Sequence, residues 1–580
     1  MRVLAALLAL VLLAPPAIGQ TRTEPEAAAG LAAKPLVTAR QHMIVAAHPL
    51  AAEAGRDMLR RGGSAADATI AALLVLNVVE PQSSGIGGGA FAVVADGTDT
   101  TAWDGRETAP AGATPGMFLD SAGEPLPFLE AVASGRSVGV PGLVRLMEAL
   151  HARYGRLPWP DLFAPAIRIA REGFPVSPRL ADLVQRYRAR LAASDAAALF
   201  LRDGRPIAEG EILRNPALAA TFERLATAGP DSFYEGEIAA AIVAAVNRAP
   251  RPGTLAATDL AAYEAKERPA VCMRYRGRFR VCGMGPPSSG AITVGQIFGL
   301  LDSFSLQGLT PASPRLWHLF AEASRLAYAD RAAYLADSDF VPVPVRGLLD
   351  PAYLAARARL IDPARASTGK AVPGSPPWRE GRLLAPDTSP GSPGTTHLSV
   401  IDANGLAIAL TASIETAFGS GRMAAGFLLN NQLTDFSFRP LGADGRAVAN
   451  AVMPGKRPRS SMAPTIVERV DAPGRPYLLA GSPGGSRIPE YVAAALVAML
   501  DFGIDPAVAA ALGHVSHRNR GKLVLEEGAH PPALAPALAA MGHTLATAPM
   551  TSGLHLLRLR ADGTIEGGAD PRREGMARGD

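Results

Sequence analysis

The chain is 580 residues long, 48% hydrophobic and 19% charged. That balance excludes a disordered, collagenous or disulfide-scaffold protein, and length alone sets a soft expectation of roughly three or four domains. Lys and Arg total 57 against 53 Asp and Glu, a net charge of +4, too thin a basic surface for nucleic acid to be the main partner.

Residues 1–19 read as a secretory signal. Arg2 gives the positive start, Val3 to Leu13 is almost unbroken apolar sequence, and Ala17-Ile18-Gly19 is a small-x-small cleavage site before Gln20. The run is too short to span a bilayer, and no later stretch reaches about 18 apolar residues. No Cys follows the run to carry a lipid anchor. A soluble mature protein, periplasmic or secreted, is expected. Residues 20–38 form a loose lead-in.

Met43 to Ala47 reads as a strand and Ala51 to Arg61 as a helix stopped by Gly62-Gly63. Ser64 caps a second helix, Ala65 to Val79, which ends near Pro81. Gly85-Ile86-Gly87-Gly88-Gly89 then opens the strand Ala90 to Ala95. Phosphate loops open helices, so no nucleotide site is expected there. Gly135-Arg136-Ser137-Val138-Gly139 matches a nucleophile elbow, but the preceding Phe128 to Ala133, with Glu130 inside it, is a poor buried strand. Helical patterns cover Gly142 to Tyr154, Trp159 to Glu172, Ser177 to Ala193, Pro216 to Ala226 and Leu316 to Leu335.

Cys272 and Cys282, the only cysteines, flank two short strands around Gly277. Strand pairing would bring the thiols together, and an exported protein lives where disulfides persist, so a local hairpin disulfide is expected. A lone C-x9-C is not a metal signature. His514 and His517 lack a matching acidic or Cys set, so no metal is expected.

Between Ala371 and Gly394 the texture changes. Pro373, Pro376, Pro377, Pro386, Pro390 and Pro393, with Gly and Ser between them, predict a flexible, solvated segment. Strand patterns follow at Thr396 to Asp402, Leu406 to Ser413, Thr465 to Glu468, Tyr477 to Ala480 and His555 to Leu559, with a helix at Pro489 to Phe502. There is no fixed-period repeat. A helix-rich first part and a strand-rich later part predict packed sheets covered by helices.

Two alternating runs, 395–402 and 406–413, flank Ala403-Asn404-Gly405 and read as a hairpin. A two-residue Asn-Gly loop would pair odd positions with even ones. A three-residue loop with Gly405 as a left-handed bulge pairs odd with odd. Leu398, Val400, Leu406, Ile408, Leu410 and Ile414 then share an apolar face, opposite Thr395, His397, Ser399, Thr411, Ser413 and Glu415. A slip would bury the polar set, so the pattern selects the three-residue loop.

That register puts Ser413 opposite Thr395, with Glu415 one diagonal step away. From periodicity alone, Thr395 reads first as the start of a hairpin after a loop. Were the Gly394–Thr395 bond cut, Thr395 would gain a free α-amine with a pKa of about 7.7–8.0. A hydroxyl beside its own terminal amine is a self-contained nucleophile–base pair.

At these residues the sequence resembles the γ-glutamyltransferase (γ-glutamyltranspeptidase) family, from about Met43 to Gly575. The resemblance rests on several motifs in order: 45–51, Glu80-Pro81-Gln82-Ser83-Ser84 with the glycines that follow, Asp104-Gly105-Arg106-Glu107-Thr108-Ala109-Pro110 and Pro286-Pro287-Ser288-Ser289-Gly290. Later come Thr395-Thr396-His397, Leu429-Asn430-Asn431-Gln432, 457–462 and Gly481-Ser482-Pro483-Gly484-Gly485-Ser486-Arg487. The resemblance implies an α+β N-terminal nucleophile (Ntn) hydrolase, an αββα four-layer sandwich. It implies self-cleavage before Thr395 into a large subunit, 20–394, and a small subunit, 395–580, interwoven in one fold. No metal or organic cofactor is implied.

By resemblance, Thr395 is the nucleophile on a γ-glutamyl amide, and water or an amino-acid or peptide amine receives the γ-glutamyl group. Gly484 and Gly485 match the oxyanion hole, where backbone N–H groups approach without a Cβ in the way. Arg106 matches the clamp on the substrate α-carboxylate, a planar fork on a planar anion. Ser460 and Ser461 match further carboxylate partners, and Gln432 and Asp435 match the groups holding the α-ammonium. Ser413 stands where the family usually has Thr; the hydroxyl survives. Glu415 stands where the family usually has Asn, near the α-amino group. The stretch Phe438 to Pro458 is short and lacks an obvious aromatic lid residue, which would leave the site more open. By resemblance to short-lid members, that openness favours hydrolysis or bulkier acyl donors, including cephalosporin-type glutaryl amides. The resemblance as a whole implies glutathione or a similar γ-glutamyl compound as substrate. The alternatives are a same-fold glutaryl or cephalosporin-type acylase, and a non-catalytic relative acting as a binding scaffold.

Overall fold

A computed structural model describes Leu31 and residues 34–378, 384–385, 387 and 394–580. The secretory signal expected at 1–19 and parts of the Pro-rich stretch lie outside the described residues.

Two seven-stranded sheets face each other. The first runs, edge to edge, through Met576–Gly579, Met43–Ala46, Thr395–Ile401, Ala407–Ser413, Gly89–Ala95, Thr100–Gly105 and Lys266–Pro269. The second runs through Val37–Ala39, Ile565–Ala569, His555–Leu559, Ala472–Ala480, Thr465–Arg469, Phe279–Gly283 and Val271–Tyr275. Neighbouring strands are antiparallel throughout both. Each sheet mixes strands from the early and late parts of the chain, so the three or four serial units suggested by length are replaced by interleaving.

Each sheet buries its outer face under helices. Ala65–Val79 is apolar on every side and fully buried, which suits a helix enclosed by other elements. It packs with Pro49–Arg60 and Trp159–Glu172 against the Leu398, Val400, Ile408 and Leu410 face of the first sheet. Gly290–Leu301, Pro314–Tyr334 and Ile488–Asp501 cover the second sheet. A smaller apolar cluster, including Val45, Val93, Ile401, Ile466, Leu479 and Leu557, joins the inner faces. The result is the α+β, αββα layering. Among the described residues no helix is long and apolar enough to cross a membrane.

Several local signals act as the sequence predicts. Ser64 forms a full capping box with Asp67. The hairpin pairs Thr395 with Ser413 and Ile401 with Ala407, and Gly405 sits at φ 86°. The expected helix over Ser177–Ala193 breaks at Tyr187 into Pro178–Arg186 and Arg188–Ala192.

One expectation is corrected. The polar face of the hairpin is itself buried, because it meets the second sheet rather than water. Its burial is compensated: the His397 ring pairs with Thr411 Oγ1 at 2.9 Å and Ser399 Oγ at 3.1 Å, and Ser399 donates to the His555 carbonyl at 2.9 Å.

Cys272 and Cys282 face each other across the Val271–Tyr275/Phe279–Gly283 ladder and are disulfide-bonded.

Candidate active site

Thr395 begins a central strand of the first sheet and is 3% exposed. Its Oγ1 lies 3.2 Å from Ser413 Oγ. Ser413 Oγ donates to the Gly394 carbonyl at 2.7 Å and accepts the Glu415 N–H at 2.9 Å. Serine carries one hydroxyl proton, and the Gly394 carbonyl takes it, so Thr395 is the donor in the bond between the two hydroxyls. Arg573 Nη1 holds the Thr395 carbonyl at 3.0 Å. Gly394 has no space for a side chain: a Cβ would stand 2.2 Å from the Glu415 carbonyl oxygen.

Around this centre the structure gathers Arg106, Ser413, Glu415, Gln432, Asp435, Ser460, Ser461 and Gly485 in one cleft with Thr395. With Gly394 still joined to Thr395, the free cavity is about 30 Å³, room for water but not for an amino acid.

Charge is concentrated on one wall. Arg106 follows the Thr100–Gly105 strand; its Nη2 donates to Asp435 Oδ2 at 2.5 Å and its Nε to the Pro458 carbonyl at 3.2 Å. Asp435 ends a short 3₁₀ turn, Gln432–Asp435, whose Gln432 Nε2 reaches Asp435 at 2.9 Å and Glu415 at 3.1 Å. Glu415 holds φ 81°, a left-handed backbone unusual for a residue with a side chain. Burial first, and then Asp435 beside it, push the Glu415 carboxyl well above the usual carboxylate range. Glu107 lies 3.7 Å from Arg106, and burial raises it to about 7.

Ser461 Oγ accepts from Arg331 Nη2 at 2.6 Å. Ser460 turns its hydroxyl to its own loop, accepting from the Met462 N–H at 3.1 Å. Gly484 and Gly485 sit at φ 135° and 57°, and a Cβ on Gly484 would strike the Tyr491 ring. Gly485 opens the 3₁₀ turn that feeds the Ile488–Asp501 helix, and of the two glycines it is Gly485 that lines the cleft.

This constellation is a threonine hydroxyl at a strand start, a glycine turn beside it, and a buried cation–carboxylate pair on one wall. The family model for gamma-glutamyltranspeptidase matches residues 51–579. The chain belongs to this family. It is 38% identical over 552 residues to the glutathione hydrolase proenzyme of Bacillus subtilis (strain 168), covering 93% of this chain and 91% of the relative. It is 34% identical over 545 residues to the acylase ACY 1 proenzyme of Pseudomonas sp. (strain SE83), covering 92% of each. The crystal structure of cephalosporin acylase from Bacillus halodurans superposes with a TM-score of 0.83 at 27% identity, covering 96% of this chain and 99% of that one.

Around the γ-glutamyltranspeptidase cleft stand further residues to which the sequence reading gave no role. Glu107, Arg459 and Ser486 lie within the quoted motifs, whereas Arg331 and Arg573 come from segments outside them. Arg331 had no distinguishing signal, because the helix Pro314–Tyr334 carries several other polar and charged residues, Arg315, His318, Glu322 and Arg325 among them. The elbow match at 135–139 has no such setting. Phe128–Val132 is helical, and Ser137 Oγ is buried 2.8 Å from both the Val132 and Ser134 carbonyls, which share its one proton. The glycines at 85–89 lead into a strand, as read. His514 Nε2 pairs with Ser552 Oγ at 2.6 Å, and burial lowers His517 to about 4. Among the described residues no cluster of His, Cys, Asp and Glu is arranged to hold a metal ion.

Proposed function

We propose that the chain is a self-processing γ-glutamyl hydrolase and transferase with Thr395 as nucleophile, acting on glutathione or a similar γ-glutamyl compound. The observation that carries this reading is the Arg106–Asp435 pair, 2.5 Å apart in the cleft of Thr395. An α-amino acid head offers the same two charges with opposite sign. Its carboxylate exchanges for Asp435 on Arg106, with Ser460 and Ser461 near, and its ammonium meets Asp435, Gln432 and Glu415.

Processing follows from the hydroxyl geometry. Thr395 Oγ attacks the Gly394 carbonyl carbon while Ser413 donates to its oxygen. The C–N bond breaks, an ester forms, and the proton lost from the hydroxyl goes to the new α-amine. Water then hydrolyses the ester, leaving a Gly394 carboxylate and a free Thr395. Turnover repeats the attack on a donor amide. The α-amine takes the hydroxyl proton, the N–H groups of Gly484 and Gly485 hold the oxyanion, and the proton passes to the departing amine. Water or an amine then takes the acyl group from the ester. The large subunit would be 20–394 and the small one 395–580. Export through residues 1–19 to the periplasm or medium fits the disulfide.

A second reading, a glutaryl or cephalosporin-type acylase, is favoured by the acylase relatives and by the short 438–458 stretch. A glutaryl group lacks the ammonium, however, and would leave Glu415 and Asp435 facing each other without a cation between them.

Denaturing gels with N-terminal sequencing test the reading, followed by rates on a γ-glutamyl anilide and a glutaryl amide. A fragment beginning at Thr395 and faster γ-glutamyl turnover are expected, and Thr395→Ala should give one uncut, inactive chain. An uncut wild-type chain that still turns over would end the proposal; an uncut, inactive one would leave the scaffold reading.

A further inference from the structure

The catalytic cleft lies at one end of the sheet sandwich. Thr395 opens its strand there and Ser413 closes the next, so the Ala403-Asn404-Gly405 turn between them marks the opposite end. Seven-residue strands put roughly 20 Å between the two ends.

At that far end a cavity of about 940 Å³ opens between the turns of both sheets, at the upper end of the range that holds small organic ligands. Gly97 and the Asn404-Gly405 turn border it from the first sheet. The second sheet contributes Arg469, Arg475, Arg558 and Arg560, and among the described residues no Asp or Glu lines it.

The second sheet is shaped to gather these arginines. They come from the adjacent strands Thr465–Arg469, Ala472–Ala480 and His555–Leu559, with Arg560 just past the end of the third. The first two strands shift register on either side of Glu468, which pairs with Pro476 while Arg469 pairs with Ala472. Such irregularities take side chains out of the regular alternation and collect beside functional sites. The irregular hairpin is also pinned across the sandwich. The Gly97 N–H donates to the Gly474 carbonyl at 3.1 Å, and Gly474 sits at φ 76°, where a Cβ would stand 2.5 Å from the Thr98 backbone.

Positive charge at the cavity is only partly answered. Arg558 is 8% exposed. Its Nε donates to Glu566 at 2.6 Å and its Nη1 to the Gly503 and Ile504 carbonyls at 3.2 and 3.1 Å, which leaves Nη2 without a protein acceptor among the described residues. Arg560 draws on the same Glu566 at 3.2 Å, so one carboxylate serves two guanidinium groups. Arg475 is exposed and forms no ion pair among the described residues. Arg469 pairs with Asp471 at 3.2 Å, but both are more than half exposed, and such a contact is worth little in water. The nearest acids of the neighbouring turns serve their own backbone: Asp96 accepts the Thr98 and Asp99 N–H groups at 3.0 Å, and Asp562 accepts the Thr564 N–H at 2.9 Å.

A guanidinium offers paired N–H donors to an oxyanion. A buried one with a spare nitrogen, beside three others, suits a ligand carrying more than one negative charge. Donors arriving from three strands suit a tetrahedral group better than a flat carboxylate. We propose that this cavity is a second binding site, separate from the catalytic cleft, for a phosphate-bearing anion: a free oligophosphate or the phosphorylated headgroup of a lipid. The site stands whether or not Thr395 is the nucleophile.

The test uses the full chain and two probes: tripolyphosphate, followed by titration calorimetry, and phosphatidylcholine vesicles with and without phosphatidic acid, followed by cosedimentation. Saturable binding of one tripolyphosphate per chain is expected. Arg475→Gln or Arg560→Gln should weaken it about five- to tenfold, Arg475→Glu should abolish it, and salt should weaken it further. Arg475 and Arg560 are exposed, so these variants should fold. Arg520→Glu, in a different basic cavity beside the catalytic cleft, should bind as wild type does. Sedimentation with the phosphatidic acid vesicles alone, reversed by tripolyphosphate, would identify a headgroup as the ligand; tripolyphosphate binding without sedimentation would identify a free one. The site is overturned if neither probe binds saturably, if Arg475→Glu leaves the affinity unchanged, or if the loss follows Arg520→Glu instead.

Discussion

Two buried charge clusters in this molecule follow opposite rules. Around Arg572 every guanidinium N–H has a partner: Glu526 takes Nε at 2.5 Å and Nη2 at 2.6 Å, Asp570 takes Nη1 at 3.1 Å, and the carbonyls of Ala510 and Leu512 take the remaining two. Around the Arg106–Asp435 pair the accounting stays open. Both oxygens of Glu107, one of Glu415 and the amide oxygen of Gln432 make no hydrogen bond within the protein. Buried polar groups are normally satisfied, and a local cluster of exceptions is where a ligand is expected to complete the set. The first cluster holds strands and loops together; the second is arranged to receive something.

The sharpest way to break this contrast is Arg572→Met. It strands Glu526 and Asp570 inside the protein, and a loss of about 3–5 kcal/mol is expected, read as a lower thermal midpoint and less soluble protein. A mild effect would mean that this network is not what holds the C-terminal strands.

Asp435→Asn is expected to do the reverse. It should lower kcat/KM on γ-glutamyl donors about 10²–10³-fold, with a small shift in the thermal midpoint, because Glu107 stands 3.7 Å away as a second counter-ion for Arg106. A variant that unfolds instead would move Asp435 into the structural class.

The subtlest expectation concerns Glu107, raised by burial from 4.5 to about 7. A raised carboxyl favours the protonated fold, so its unfavourable contribution appears as pH climbs above the unfolded value and is complete past about 7. Glu107→Gln should therefore match the parent near pH 4 and exceed it near pH 8, by up to about 3 kcal/mol. Thermal melts across that range read the difference. A constant gap would show that Glu107 does not titrate there.

Much of the centre was legible in the sequence because it lies along one continuous hairpin. Period-two alternation and Gly405 set the register, and the register set the Thr395–Ser413 pair. The environment of that pair was less legible. A polar face reads the same whether it meets water or the polar row of another sheet, so the burial of His397, Ser399 and Thr411 had no local signature. Arg331 and Arg573 reach the cleft from segments far apart in sequence, and a single Arg carries no periodic trace of where a fold will deliver it. Arg106 entered through family resemblance, and its partner Asp435 is 329 residues away.

The mixing of early and late strands in both sheets has a mechanical consequence. A chain severed after position 394 would have no seam along which to part: Thr395–Ile401 is stitched to Met43–Ala46 on one edge, and Ala407–Ser413 to Gly89–Ala95 on the other. Separating the pieces means unravelling the whole. Mature molecules should therefore not trade halves in solution, and fragments made apart should regain activity only when they fold in each other's company.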